Sequence, residues 1–259
     1  MRVAVNLNMF HPELPLLQRY KAAAEAGFRQ VEVSLPYSER AELLRSMADS
    51  LGLVHTLINA PTGDWSKGFR GLASLSSHRT EFNESIKDAL HYAKTLNCDK
   101  VHVMAGIPEK GDNSSSSVFL ENVTFAATKL NQENIMCLIE PINHYTVPGY
   151  FLSSYEQAKN VIDEVKLPNL KIQYDVFHAQ QICGQISATI EKYKDDIGYI
   201  QVAQVPSRDE PHTSGEIDYK YVFERLRTAN PKWIIGLEHN FRGSHGAPRD
   251  WVQQLGLEM

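Results

Sequence analysis

Four residues in the second half of this 259-residue chain have the types and spacing that a hard cation needs: Glu140 in CLIEPINH, Asp175 in KIQYDVFH, Gln201 in YIQVAQV and Glu238 in IIGLEHN. Glu140, Asp175 and Glu238 end short apolar runs rich in Val, Ile and Leu, and Gln201 lies within one. Such runs read as buried strands. Burying three carboxylates together costs several kcal/mol per ion without a counter-charge, so they either protonate or hold a cation. Three carboxylates and an amide carbonyl suit Mg²⁺ or Mn²⁺ better than Zn²⁺, which recruits His or Cys. Any one of the four taken alone also reads as a helix cap or an ion-pair partner, so the inference rests on the set.

Other side chains fall near the same expected end of the sheet. His178, three residues after Asp175, either holds a ligand or substrate oxygen or is a satisfied histidine at a helix start. His55 and His102 lie on expected strands, where a packed ring is the simpler reading. Of the two, His55, on the strand that carries Asn59, is the better candidate for substrate contact. Arg70 in GDWSKGFRG and Arg208 in VPSRDEPHTSGEID sit in loops, where a guanidinium either clamps a substrate carboxylate through two parallel hydrogen bonds or stays solvated.

The elements that must position these groups are legible as an alternation. Apolar runs at 3–6, 30–34, 54–59, 100–104, 136–142, 170–176, 199–205 and 233–239 predict eight strands. Between them, three-and-four spacing predicts helices over 16–26, 39–51, 81–96, 120–131, 154–165, 186–193 and 219–229, with a closing helix at 248–255. Ser153 and Ser154, Asp218, Gly27 and Gly52 stand where caps belong. Eight strands alternating with helices predict one (β/α)₈ barrel spanning residues 1–259, whose catalytic groups belong at the carboxyl ends of the strands. An open dinucleotide-binding sheet is disfavoured because no G-x-G-x-x-G follows the first strand. Residues 111–117, GDNSSSS, read as a flexible loop, and 61–77 as a long connection on the functional face.

Composition narrows the function classes. With 26 Lys and Arg against 31 Asp and Glu, a formal charge of −5 and no basic run, nothing asks for a nucleic-acid partner. That weighs against a metal-dependent barrel endonuclease, which also needs several His ligands and a basic groove. Cys98, Cys137 and Cys183 form no C-x-x-C pair and read as reduced, structural thiols. Without a signal-like start or a membrane-length apolar run, a soluble cytosolic protein with no membrane partner is expected. The outer helix faces leave a homo-oligomer open.

The motifs EPINH, KIQYDVFH, Gln201 followed by R-x-E-P and G-E-I-D-Y, GLEHN and NAPTGDWSKGFRG together resemble the hydroxypyruvate isomerase family of the xylose-isomerase-like barrel superfamily, over essentially the whole length. The resemblance implies a divalent-metal site at Glu140, Asp175, Gln201 and Glu238. It also implies that Glu140 and Glu238 are acid and base, and that the substrate is a small hydroxy-oxo acid of glyoxylate-related metabolism. The related ketose epimerases, which the chain resembles more distantly, carry His at the seventh-strand ligand and a further Glu after E-P-x-N. Gln201 and Thr146 stand there here, which disfavours a long polyol substrate. An isomerase or epimerase of a larger hydroxy-oxo acid or ketose, and a silent binding barrel, are the competing expectations.

Overall fold

A computed structural model describes residues 1–241 and 248–259 of the chain. Its strands are β1 (Val3–Asn6), β2 (Gln30–Val33), β3 (Val54–Asn59), β4 (Lys100–His102), β5 (Met136–Ile139), β6 (Leu170–Asp175), β7 (Ile197–Val202) and β8 (Ile235–Leu237). All pair in parallel in sequence order, and β1 also pairs with β8, so the sheet closes into the expected (β/α)₈ barrel. Around it run α1 (Leu16–Glu25), α2 (Ala41–Leu51), α3 (Arg79–Leu96), α4 (Ser115–Asn131), α5 (Tyr155–Val165), α6 (Val176–Ile182), α7 (Ile186–Tyr193), α8 (Tyr219–Ala229) and α9 (Pro248–Gln254).

Several boundaries follow from local chemistry. The Ser154 side chain accepts from the Gln157 N–H to open α5, Asp218 accepts from the Tyr221 N–H to open α8, and Gly52 takes the left-handed conformation that ends α2. Residues 115–117 correct an expectation. They form the first turn of α4 rather than loop, because the Asp112 carboxylate and carbonyl accept from the Ser114 N–H and hydroxyl and the Ser115 hydroxyl. The short helix α6 was not among the predicted helical spans, although a helix start near His178 was one reading of that residue. It begins immediately after β6, where the Asp175 side chain caps it by accepting from the Phe177 N–H at 2.8 Å.

Two apolar layers hold the barrel. The main core lies between strands and helices and includes Tyr20, Phe28, Phe82 and Phe119, all essentially inaccessible. A second cluster, Leu57, Leu138 and Tyr199, plugs the barrel interior. These come from β3, β5 and β7, alternate strands contributing one interior layer. Because side chains alternate faces with period two, Asn59, Glu140 and Gln201 stack above the plug. Cys98 and Cys137 are buried free thiols, whereas Cys183 is exposed. No helix among the described residues is long and apolar enough to cross a membrane.

Candidate active site

At the carboxyl ends of the strands, a cavity of about 120 Å³ is lined by Trp65, His102, Glu140, Gln173, Arg208 and Glu238, among others. Pockets for drug-sized ligands run to roughly 300–1,000 Å³, so this one suits a small metabolite. A roomier cleft of about 520 Å³ opens elsewhere, but the only charged groups on its wall are the acids Asp64, Glu81, Glu84 and Asp88, with no basic or amide side chain among its lining residues. It lacks the convergent buried groups of the smaller site.

Glu140 follows β5 and is buried. Its Oε2 lies 3.1 Å from the Gln173 Nε2 donor and 3.6 Å from His102 Nε2, while Oε1 has no hydrogen-bond partner. Asp175, fully inaccessible, keeps Oδ1 on the α6 cap and turns Oδ2 toward Arg208 Nη2 at 3.4 Å and His178 Nε2 at 3.6 Å. Glu238 meets Arg208 Nη2 at 2.5 Å. The guanidinium therefore bridges two of the acids from the mouth, its face against the Phe177 ring. Gln201, on β7 beside Asp175 in register, accepts from Gln173 Nε2 at 2.6 Å and donates its own Nε2 to Glu32 Oε1 at 2.8 Å.

The environment disfavours charge on most of these groups. Burial, then the repulsion of Glu238 and Asp175, holds the Glu140 carboxyl well above the usual carboxylate range. Burial drives Asp175 up to about 7 although Arg208 pulls the other way. Burial, aided by Glu238, raises Glu32 to about 8. Burial lowers His102 to about 3, and burial with the nearby Arg208 and His102 holds His178 well below its ordinary value. Both imidazoles are therefore neutral.

The tautomer of His178 follows from its neighbour. Asn143 Oδ1 accepts from the Thr146 N–H at 2.9 Å, which leaves the Asn143 amide group to donate to His178 Nδ1 at 2.6 Å. With Nδ1 an acceptor, the ring proton sits on Nε2 and faces Glu140 and Asp175. Ligand atoms of Glu140, Asp175 and His178 lie within 4.8 Å of one another. A protonated Nε2 cannot coordinate a cation, so of these three the two carboxylates are the natural ligands and His178 is a donor.

The structure thus brings together Glu140, Asp175, Gln201, Glu238, His178 and Arg208. It does not bring in His55 or Arg70. His55 points into the helix layer, where its Nε2 meets the Tyr20 hydroxyl at 2.7 Å. The cause is a register shift: Val31 pairs with His55, but the next residue, Glu32, pairs with Leu57, so the extra residue Thr56 breaks the alternation and turns His55 away from Asn59. Arg70 stacks its guanidinium over Trp65 at 4.2 Å and donates to the Phe69 carbonyl at 2.7 Å, bracing a residue of the cavity wall without lining the cavity itself. Conversely His102, read as core from sequence, faces the cavity. Gln173, Glu32 and Asn143 were missed. Gln173 carried a usable signal, since it precedes Asp175 by two residues and shares its strand face.

Known proteins of this kind are similar along nearly the whole chain. A model of the xylose isomerase-like TIM barrel family matches residues 20–257. A Caenorhabditis elegans protein provisionally named hydroxypyruvate isomerase is 58% identical, covering 99% of this chain and 97% of its own. The hydroxypyruvate isomerase of Escherichia coli K12 is 37% identical over 97% of this chain and 98% of its own. The 2-oxo-tetronate isomerase of Cupriavidus necator is 40% identical over 97% of each.

Proposed function

The chain belongs to the xylose isomerase-like TIM barrel family and within it to the hydroxypyruvate isomerases, and from that premise we propose that it interconverts hydroxypyruvate and 2-hydroxy-3-oxopropanoate with the help of one divalent cation, Mg²⁺ or Mn²⁺. The observation that carries the reading is that Glu140 and Glu238 line one small cavity and Asp175 lies directly behind its wall, against the Arg208 and His178 that line it.

The residues fit a divalent cation. When all three acids are ionised, Arg208 answers only one of their charges, and Glu140 Oε1 is a buried acceptor without a partner. Glu140, Asp175 and Glu238 with the Gln201 carbonyl oxygen would hold the ion, a donor set of oxygens alone. When bound, such a cation is a Lewis acid for charge developing on substrate oxygens.

The chain's own groups divide the rest of the work. Conversion moves a carbonyl between neighbouring carbons: one carbon-bound proton leaves the hydroxymethyl carbon, an enediol forms, and a proton returns to the adjacent carbon. Of Glu140 and Glu238, one removes the first proton and the other delivers the second. His178 donates its Nε2–H to a substrate oxygen, a role its locked tautomer supports. Arg208, the cationic group of the cavity wall, clamps the substrate carboxylate. Apolar Met104, Ile142 and Val147 line part of the wall and offer little to the extra hydroxyls of a long polyol.

Turnover by purified, demetallated protein, with and without Mg²⁺ or Mn²⁺ and beside Glu140→Gln, tests this. Metal should restore activity, and the variant should lose about 10²–10⁴-fold. Full turnover by demetallated enzyme sinks the cation's role, and a fully active variant sinks Glu140. The 40% identity to a 2-oxo-tetronate isomerase favours a second reading, a four-carbon hydroxy-oxo acid with the same chemistry. A panel of three- to six-carbon substrates separates the two.

A further inference from the structure

Beneath the cavity, Glu32 reaches from β2 across the barrel interior to Gln201 on β7. It is 1% exposed and sits out of reach of a substrate behind Gln201, so the chemistry above does not use it. An acid buried this deeply is costly to ionise without a counter-charge, and what it meets instead is two amide donors on one oxygen.

Its hydrogen bonds fix the direction of an amide. Asn6 Oδ1 accepts the backbone N–H groups of Asn8 and Met9 at 2.9 and 3.2 Å, so Asn6 must turn its amide group outward, and it donates to Glu32 Oε1 at 2.8 Å. That oxygen is therefore an acceptor whether or not a proton rides on Oε2. Gln201 must then present Nε2 to it, which turns the Gln201 carbonyl oxygen to the side of Glu140, where both share the Gln173 donor. A second feature keeps room for this arrangement. Gly236, paired with Gln201 across β7 and β8, has no side chain, and a Cβ there would lie 2.3 Å from Glu32 Oε2 and 2.9 Å from Gln201 Cγ.

We propose that Asn6, Glu32 and Gly236 form a pedestal whose task is to aim the Gln201 carbonyl oxygen at the metal position, Glu32 being a positioning residue. The proposal rests on the reading of Gln201 as a cation ligand. An undirected glutamine could offer its NH₂ group as readily as its oxygen, and an NH₂ group repels a cation. Partners that orient a ligand in this way are typically worth 10–100-fold in metal affinity.

Titrating demetallated enzyme with Mn²⁺ by calorimetry, without substrate, tests it. Glu32→Leu and Gly236→Ala should each weaken Mn²⁺ binding about 10–100-fold, and Glu32→Gln, which keeps an acceptor oxygen for Asn6 and Gln201, should stay within roughly threefold of the native enzyme. In a Gln201→Leu background, Glu32→Leu should add nothing. Native-like affinity in Glu32→Leu, while Gln201→Leu loses it, overturns the pedestal and leaves the ligand reading intact. Native-like affinity in Gln201→Leu refutes the ligand reading and the pedestal with it. Should Glu32→Leu fail to fold by circular dichroism, a crystal structure of the Mn²⁺-loaded native enzyme decides: the Gln201 oxygen on the ion with Nε2 on Glu32 supports the proposal, and a Glu32 parted from the Gln201 amide overturns it.

Discussion

Replacing His55 by Gln should leave catalysis alone and change acid stability. Burial in the helix layer, against the Tyr20 hydroxyl, lowers the imidazole from 6.5 to about 4. A group whose folded pKa is depressed stabilises the fold fully above its unfolded pKa, and that contribution is lost as pH falls through the folded value. For His55 the window therefore runs from pH 6.5 down to 4. A shift of about 2.5 units at 1.36 kcal/mol per unit puts the native protein about 3 kcal/mol lower in stability at pH 4 than at pH 7 on account of this one ring. The amide of the His55→Gln variant has no such titration. Its cost at pH 7 is the altered Tyr20 hydrogen bond, on the order of 1 kcal/mol. Other buried histidines titrate in both proteins, so the difference between the two urea-unfolding profiles isolates His55. The variant should be the less stable protein at pH 7 and the more stable one near pH 4. A gap that stays constant between pH 7 and 4 would refute the burial argument. A folded variant whose kcat/KM drops tenfold or more would return His55 to the substrate site.

Three further substitutions probe the cavity wall and the groups that brace it. Asn143→Leu removes the shorter of the two hydrogen bonds that His178 Nδ1 accepts, leaving only the Asn143 backbone N–H at 3.4 Å, and losing a buried hydrogen bond worth about 1–3 kcal/mol predicts a fall of roughly 5- to 150-fold in kcat/KM with the fold retained; kinetics within twofold of native would show that the side-chain hydrogen bond does not matter. Arg70 stands behind Trp65 while Arg208 faces the acids, so Arg70→Ala should cost only the ~0.5–1 kcal/mol of an exposed stacking contact, under about tenfold in kcat/KM. Arg208→Ala should cost far more and mostly in KM, and equal losses from the two would contradict their placement.

What the sequence made legible, and what it hid, both trace to strand geometry. Glu140, Asp175 and Glu238 were visible because an apolar strand that ends in an acid is unusual and because barrel sites gather at strand ends. Gln201 was visible because an amide within an apolar run needs a partner. His55 was the better substrate candidate only on unbroken alternation: period two assigns faces while the register holds, and the extra residue at Thr56 resets the phase between His55 and Leu57, whereas His102 on β4 keeps its register and was read as core because a packed ring is the commoner case. Nothing in the letters VHTLIN marks that shift. The serines of residues 115–117 looked like loop by composition, whereas Asp112, three residues upstream of Ser115, makes them a helix start. Glu32 was hidden by distance: its partner Gln201 lies 169 residues away, and only closure of the barrel brings them together.

The pattern of partners also argues where reaction occurs. His178 is held by Asn143, Asp175 by its helix cap, Gln201 by Gln173 and Glu32, and Glu238 by Arg208. Each of these partners fixes the orientation of the group it holds. Glu140 Oε1, His102 Nε2 and Gln173 Oε1, by contrast, are buried polar atoms without hydrogen-bond partners on three side chains that meet at Glu140 Oε2, and Glu32 Oε2 beneath them is a fourth. Leaving such atoms unmet costs about 1–3 kcal/mol each. Three of these four atoms lie around Glu140 on the cavity wall, so that wall suits groups that arrive from outside, and a cation together with an oxygen-rich acid supplies both kinds of partner.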